Sequence, residues 1–216
     1  LAAIAFAALR QASPSTSTST PHTAVVDIKG EIASGAEASA EFVVAAMRSA
    51  LEDEGSQALV LLINSPGGSP VQAGIINDEI VRLRKLHPNV PLFAVVEDVC
   101  ASGGYYVAAA ADKIFVDKAS LVGSIGVTAS GFGFVGVMDK LGVDRRIYTA
   151  GEHKAFLDPF QPPKADETAF WRSVLDTTHK QFIASVKQGR GERLKDKEHP
   201  ELFSGLIWSG EQALQL

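Results

Sequence analysis

The sequence predicts an α/β protein with a mainly parallel sheet and covering helices. Short apolar runs alternate with segments of helical period, one of those runs is apolar at every position, and two of them lead toward glycine-rich turns. Ala24-Val25-Val26-Asp27-Ile28 is the first strand. Residues 38–52 follow as a helix whose Phe42, Val43, Ala46, Met47 and Ala50 share a face. The run Ala58-Leu59-Val60-Leu61-Leu62-Ile63 has the continuous apolarity of a strand covered on both sides. It leads into Asn64-Ser65-Pro66-Gly67-Gly68. The next helix, 71–86, carries Ile75, Ile76, Ile80, Leu83 and Leu86 and is stopped by Pro88. Val90-Pro91-Leu92-Phe93-Ala94-Val95-Val96 is a buried strand, Val107-Ala108-Ala109-Ala110-Ala111 a tightly packed helix, and Lys113-Ile114-Phe115-Val116 another strand.

The remainder is less regular. Residues 122–134 read as a glycine-rich strand and turn region, and Arg145-Arg146-Ile147-Tyr148 as a further strand. Gly131-Phe132-Gly133-Phe134-Val135-Gly136-Val137 mixes glycine with aromatics; it packs in a core or between subunits in preference to lining a substrate groove. After the proline-rich, extended 158–163, residues 166–187 form one amphipathic helix. Phe170, Val174, Thr177, Thr178 and Phe182 lie toward one face, with Asp166, Glu167, Arg172 and Lys180 toward water. The charged run 190–201 is a solvated surface.

With 216 residues, 46% of them hydrophobic, the chain can bury a substantial core. A net charge of −5 gives no basic footprint, so nucleic acid is not an expected partner. The single Cys100 excludes an intrachain disulfide; at the end of an apolar strand it is expected to be an inert core thiol.

Parallel strands put their following turns at one edge of the sheet, where open α/β sheets hold their active sites. Cys100-Ala101-Ser102-Gly103-Gly104-Tyr105-Tyr106 places one hydroxyl at the N-terminus of the alanine-rich helix, where unpaired N–H groups and the helix dipole favour an alkoxide or oxyanion. The same turn can also be an N-cap serine with glycine punctuation. A serine hydroxyl needs a base. None of His22, His87, His153, His179 and His199 lies in a setting that predicts a triad. Lys154, in Gly151-Glu152-His153-Lys154-Ala155-Phe156-Leu157, has apolar neighbours that could dry an ammonium, and a dried lysine becomes a general base. In the proline-glycine turn, the glycines let backbone approach a substrate carbonyl and aim an N–H at it. Gly68 and Gly103 are the expected donors, with Gly67 the alternative.

These segments, with Gly123-Ser124-Ile125-Gly126-Val127 and the closing Phe203-Ser204-Gly205-Leu206-Ile207-Trp208-Ser209-Gly210-Glu211-Gln212-Ala213, occur in an order that resembles the signal peptide peptidase A family of Ser-Lys peptidases over residues 23–216. The resemblance implies a Clp/crotonase-like fold of repeated ββα units, with Ser102 as nucleophile, Lys154 as general base and Ser124 holding and orienting the lysine. It implies hydrolysis of hydrophobic peptides such as cleaved signal peptides, with neither metal nor cofactor. It also implies a homo-oligomer of ring or dome shape, whose sites draw on neighbouring protomers. A crotonase-like enzyme acting on coenzyme A thioesters shares the fold and the glycine oxyanion hole but needs no Ser102 and Lys154 pair. A non-catalytic membrane scaffold is the other alternative.

Residues 1–10, apolar up to Arg10, are too short to span a bilayer and read as the end of a longer hydrophobic segment, with 11–22 a flexible, low-complexity linker. The resemblance implies an N-terminal anchor in the bacterial inner membrane and a catalytic domain, 23–216, on the periplasmic or extracytoplasmic side.

Overall fold

The first three strands of the protein lie side by side in the same direction, because a helix carries the chain back across the sheet between them. In the computed structural model, which describes residues 20–216, β1 (His22–Lys29) pairs parallel with β2 (Ser56–Ser65), from Thr23 opposite Ala58 to Lys29 opposite Asn64. The intervening α1 (Ala40–Glu52) starts at Ser39, whose Oγ accepts the Phe42 N–H. α2 (Pro70–Leu86) starts at Ser69, with Pro70 in the first turn where its missing N–H costs nothing. It returns the chain to β3 (Leu92–Ala101), parallel to β2. The first half of β3 pairs with β4 (Lys113–Phe115) and its last three residues with β5 (Leu121–Gly123), both parallel. β6 (Ile207–Ser209) closes the edge antiparallel to β5, giving the order β1-β2-β3-β5-β6 with β4 beside β3.

The core lies between this sheet and its helices. Leu59, Leu61 and Ile63 of β2 are fully buried while Val60 and Leu62 are half-buried, so both faces are covered, one more completely. Against them pack Met47 of α1 and Ile76, Ile80 and Leu83 of α2, each contributing about 1.5–3 kcal/mol by burial. Phe42, Ile75 and Leu86, predicted for the same faces, are exposed at the edges of their stripes. Glu79, buried beneath half-exposed Arg48 and Arg82 at 2.7 and 2.6 Å, straps α1 to α2, and the two guanidiniums hold its carboxyl down at about 2.

The helix after Ser102, α3 (Gly103–Ala109), is covered by α5 (Ala165–Arg190). The contacts run in the same order along both helices, Tyr106 with Phe182 and Ser185 and then Ala109 with Gly189, so α5 runs in the same direction as α3. Gly189 sits where a Cβ would overlap the Ala109 carbonyl, Phe182 stacks on Tyr106 at 4.7 Å, and Ser185 donates to the Tyr106 hydroxyl at 3.1 Å.

Several expectations are corrected. Arg145-Arg146-Ile147-Tyr148 is not a strand: no neighbouring strand pairs with it, and Arg145 instead bonds Asp158 at 2.9 Å over the Phe160 ring. Gly131-Phe132-Gly133-Phe134 is irregular chain leading into α4 (Val135–Leu141), which buries no residue within the chain, so of the two packings expected for this segment the core is ruled out. On α5, Glu167 is 9% exposed and Phe170 63%, the reverse of the predicted faces, because the first turns of this 26-residue helix extend past α3 and meet the 151–158 turn instead. The charged run is not wholly solvated, since half-buried Arg190 donates to the Ala111 carbonyl at 3.1 Å and burial lowers its pKa. β1 already includes His22, the last residue of the predicted linker. The proposed membrane-segment end, 1–10, and most of the linker lie outside the described residues. Among the described residues no helix is long and apolar enough to cross a membrane.

Candidate active site

The register of β2 against β3 builds the site. Ser65 lies opposite Cys100, so the turns that leave the two strands emerge side by side. A Cβ on Gly67 would be 2.6 Å from the Gly103 nitrogen and 2.8 Å from the Ser102 Cβ; the turns meet backbone to side chain with no room between them. Gly67 has φ 103°, a value that glycine alone adopts without strain. Its N–H donates to the buried Ser65 Oγ at 3.1 Å, and its carbonyl accepts the Ile32 N–H at 2.8 Å. The Gly67 amide is therefore already engaged. Gly68 and Gly103 line a shared cavity, and neither amide has an acceptor among the described residues; Gly103 heads α3 with no capping side chain.

Ser102 occupies the bend between β3 and α3 at φ 51° and ψ −121°, a conformation costing a non-glycine residue about 1–3 kcal/mol. Its surroundings hold it there: its N–H donates to the Gly123 carbonyl and its carbonyl accepts the Tyr106 N–H, both at 2.9 Å. Such a strained strand-to-helix turn presents a side chain outward instead of packing it. Ser102 is half-buried and lines a cavity of about 490 Å³ with Gly68, Gly103, Ser124 and His179. Ser124 is likewise strained, at φ 52°, with its N–H on the Leu206 carbonyl at 2.7 Å. This ties it to the loop just before β6. Cys100 is fully buried beneath, and burial pushes its thiol far above the usual range, so it is no nucleophile.

The structure brings together Ser102, Ser124, Gly68 and Gly103, and it leaves Lys154 outside the group. Lys154 lies in the exposed 151–157 turn, its N–H on the Gly151 carbonyl at 3.2 Å, and it does not line the Ser102 cavity. Within one chain, nothing dries its ammonium.

His179 was not expected here. One turn before Phe182 on α5, it lies 2.9 Å from the Ile125 carbonyl through Nε2. A carbonyl only accepts, so Nε2 carries the proton and Nδ1 is the ring's free acceptor in the neutral form. Thr178 and Gln181 of the same helix and Ser204 also form the wall. The one signal for them in sequence was helical spacing from Phe182; the docking of α5 alongside α3, which aims them at the cavity, has none.

Comparison with known proteins shows the family of the chain. The chain is 45% identical over 170 residues to a Brucella melitensis protein named Na(+)/H(+) antiporter NhaA, covering 79% of this chain and 23% of that protein. It is 32% identical over 164 residues to an Enterococcus faecium protein named as a signal peptide peptidase, SppA (76% and 46%), and 29% identical over 198 residues to protease 4 of Haemophilus influenzae (89% and 31%). The chain thus spans less than half the length of each. The family model of peptidase family S49 matches residues 84–216, a stretch holding Ser102, Gly103, Ser124 and Lys154, and with more than half of the chain inside that match the protein belongs to peptidase family S49.

Proposed function

We propose that the chain is a serine endopeptidase in which Ser102 attacks a peptide carbonyl, the Gly68 and Gly103 amides hold the oxyanion, and Lys154 of a neighbouring subunit is the general base. The observation that carries this reading is the strained Ser102 beside two unengaged amides at one cavity, which is how acyl-transfer sites stabilise charge that develops during reaction. An uncharged Lys154 Nζ takes the Ser102 proton as Oγ bonds to the scissile carbon, whose oxygen becomes the oxyanion. Collapse of this intermediate breaks the C–N bond, the lysine ammonium gives its proton to the departing amine, and water releases the acyl group by the same route. Ser124, on the cavity wall, accepts a hydrogen bond from the ammonium and aims it.

A lysine from another chain is invoked because Lys154 is exposed and outside the cavity of its own. The surrounding segment favours such an assembly: Phe132, Leu141 and Tyr148 stand exposed on one continuous stretch of chain with no core behind them. Burial at a subunit contact would also dry the amine. Resemblance and family membership support substrates that are hydrophobic peptides, such as cleaved signal peptides, cleaved at the outer face of the bacterial inner membrane. No cofactor enters the scheme.

A second reading keeps the same nucleophile but takes His179, which lines the Ser102 cavity in the single chain, as the base. Hydrolysis of a hydrophobic peptide by Ser102→Ala, Lys154→Ala and His179→Ala variants separates the two, and so does mixing of subunits. Loss in the first two, with about a quarter of the sites restored when those two inactive chains are co-assembled at random, is the expected result. Full activity in Ser102→Ala removes the mechanism; full activity in Lys154→Ala with loss in His179→Ala transfers the base to the histidine.

A further inference from the structure

A general base in an exposed turn must be held still by something, since a misplacement of about 1 Å costs on the order of 100-fold in rate. The 151–157 turn has internal bonds of its own, Lys154 N–H to Gly151 and Phe156 N–H to His153, but these fix its shape and not its position on the protein. Its position is set on the first turns of α5. Phe156 meets the rings of Phe170 and Trp171 edge-on at 5.9 and 5.8 Å, and His153, the residue before Lys154, lies 3.5 Å through Nδ1 from Oε1 of Glu167.

Glu167 is the centre of this attachment. It is the one charged side chain buried on α5, and the same Oε1 accepts from Lys164 Nζ at 3.1 Å. A carboxylate is expensive to bury without partners, and the partners that Glu167 has are His153 of the turn and Lys164 beside it, with Phe156 of the turn lining the same hollow.

We propose that Glu167 is a positioning residue that sets the location of Lys154 by clamping His153. The inference rests on Lys154 being the base. Glu167 touches neither substrate nor reacting atoms; removing its acceptor frees the turn, and the amine no longer reaches its hydroxyl in one geometry. A glutamine has the same shape and still accepts from the His153 ring and from Lys164, whereas a leucine fills the space and accepts nothing.

The test compares Glu167→Leu, Glu167→Gln, His153→Ala and Lys154→Ala in steady-state hydrolysis of one peptide, with rates normalised to the Ser102 sites titrated by a fluorophosphonate. Expected is a fall of about 10- to 100-fold in kcat with KM unchanged for Glu167→Leu, restoration to within about 3-fold by Glu167→Gln, and no further loss when His153→Ala is added to Glu167→Leu. A purely structural Glu167 gives instead a lower melting temperature and fewer titratable sites with kcat per site unchanged, which overturns the proposal. Equal losses in the leucine and glutamine variants overturn it as well. Lys154→Ala separates the two levels: if that variant is inactive while Glu167→Leu is normal, only the positioning role falls, and if it is fully active the base assignment falls with it.

Discussion

Alanine at Gly67 would put a methyl carbon 2.6 Å from the Gly103 nitrogen, 2.8 Å from the Ser102 Cβ and 2.9 Å from the Ala101 carbonyl oxygen, at a backbone φ of 103°. Two costs follow. The φ alone is worth about 1–3 kcal/mol, and backbone forced apart by overpacking costs a further 1–3 kcal/mol or so. For a chain of this size, roughly 2–6 kcal/mol lowers the melting temperature by about 5–20 °C. The atoms that must move are the Ser102 and Gly103 backbone, so the damage is aimed at the reaction: loss of one oxyanion donor costs on the order of 100- to 1,000-fold in kcat. Thermal melts and peptide hydrolysis of Gly67→Ala, beside Gly136→Ala in α4 where a Cβ meets nothing within 4 Å, measure both effects. The α4 control is expected to be neutral or more stable by up to about 1 kcal/mol, because alanine is the better helix former. Wild-type melting and kcat in Gly67→Ala would show that the two turns do not touch as described, and the site built from them would fall.

Glu79 makes stability depend on acid. Its carboxyl is held at about 2 by Arg82 and Arg48, below the ordinary 4.5, so it stabilises the fold above the unfolded value and that contribution is lost as pH falls from about 5 toward 2. The contribution is on the order of 2 kcal/mol, reduced by the half-exposed guanidiniums; the melting difference between wild type and Glu79→Gln should be large at pH 7, about halved near pH 3 and nearly gone near pH 2, and an equal difference throughout refutes the pairing. Cys100 should resist iodoacetamide in the native protein and react after denaturation; stoichiometric native labelling contradicts its burial. The rate of peptide hydrolysis should rise with pH, since only an uncharged amine accepts the serine proton, and a flat profile counts against lysine as base.

Local rules read much of this chain correctly. The continuous apolarity of 58–63, the helical spacing of Ile75, Ile76, Ile80, Leu83 and Leu86 and the stop at Pro88 placed β2 and α2 to within a few residues, because they depend on neighbours along the chain. The same holds for the helix N-terminus at Ser102. Where the sequence misled, the deciding partner lay far away. Arg145–Tyr148 has strand-like residues but no neighbouring strand to pair with. Glu167 has the character of a surface residue and is buried because His153 and Lys164 meet it there.

The α/β class, the strand-to-turn junctions and the residue types able to do acyl transfer are legible along the chain, since propensity, periodicity and turn chemistry act over a few residues. Which of those residues share a cavity is a matter of packing. The pairing of Ser65 with Cys100 joins two turns separated by more than thirty residues, and the docking of α5 alongside α3 delivers His179 to the wall. Both are set by long-range packing: register comes from one whole strand fitting another, and helix placement from small residues such as Gly189 that permit close approach. The same packing leaves Lys154 in an exposed turn outside that cavity.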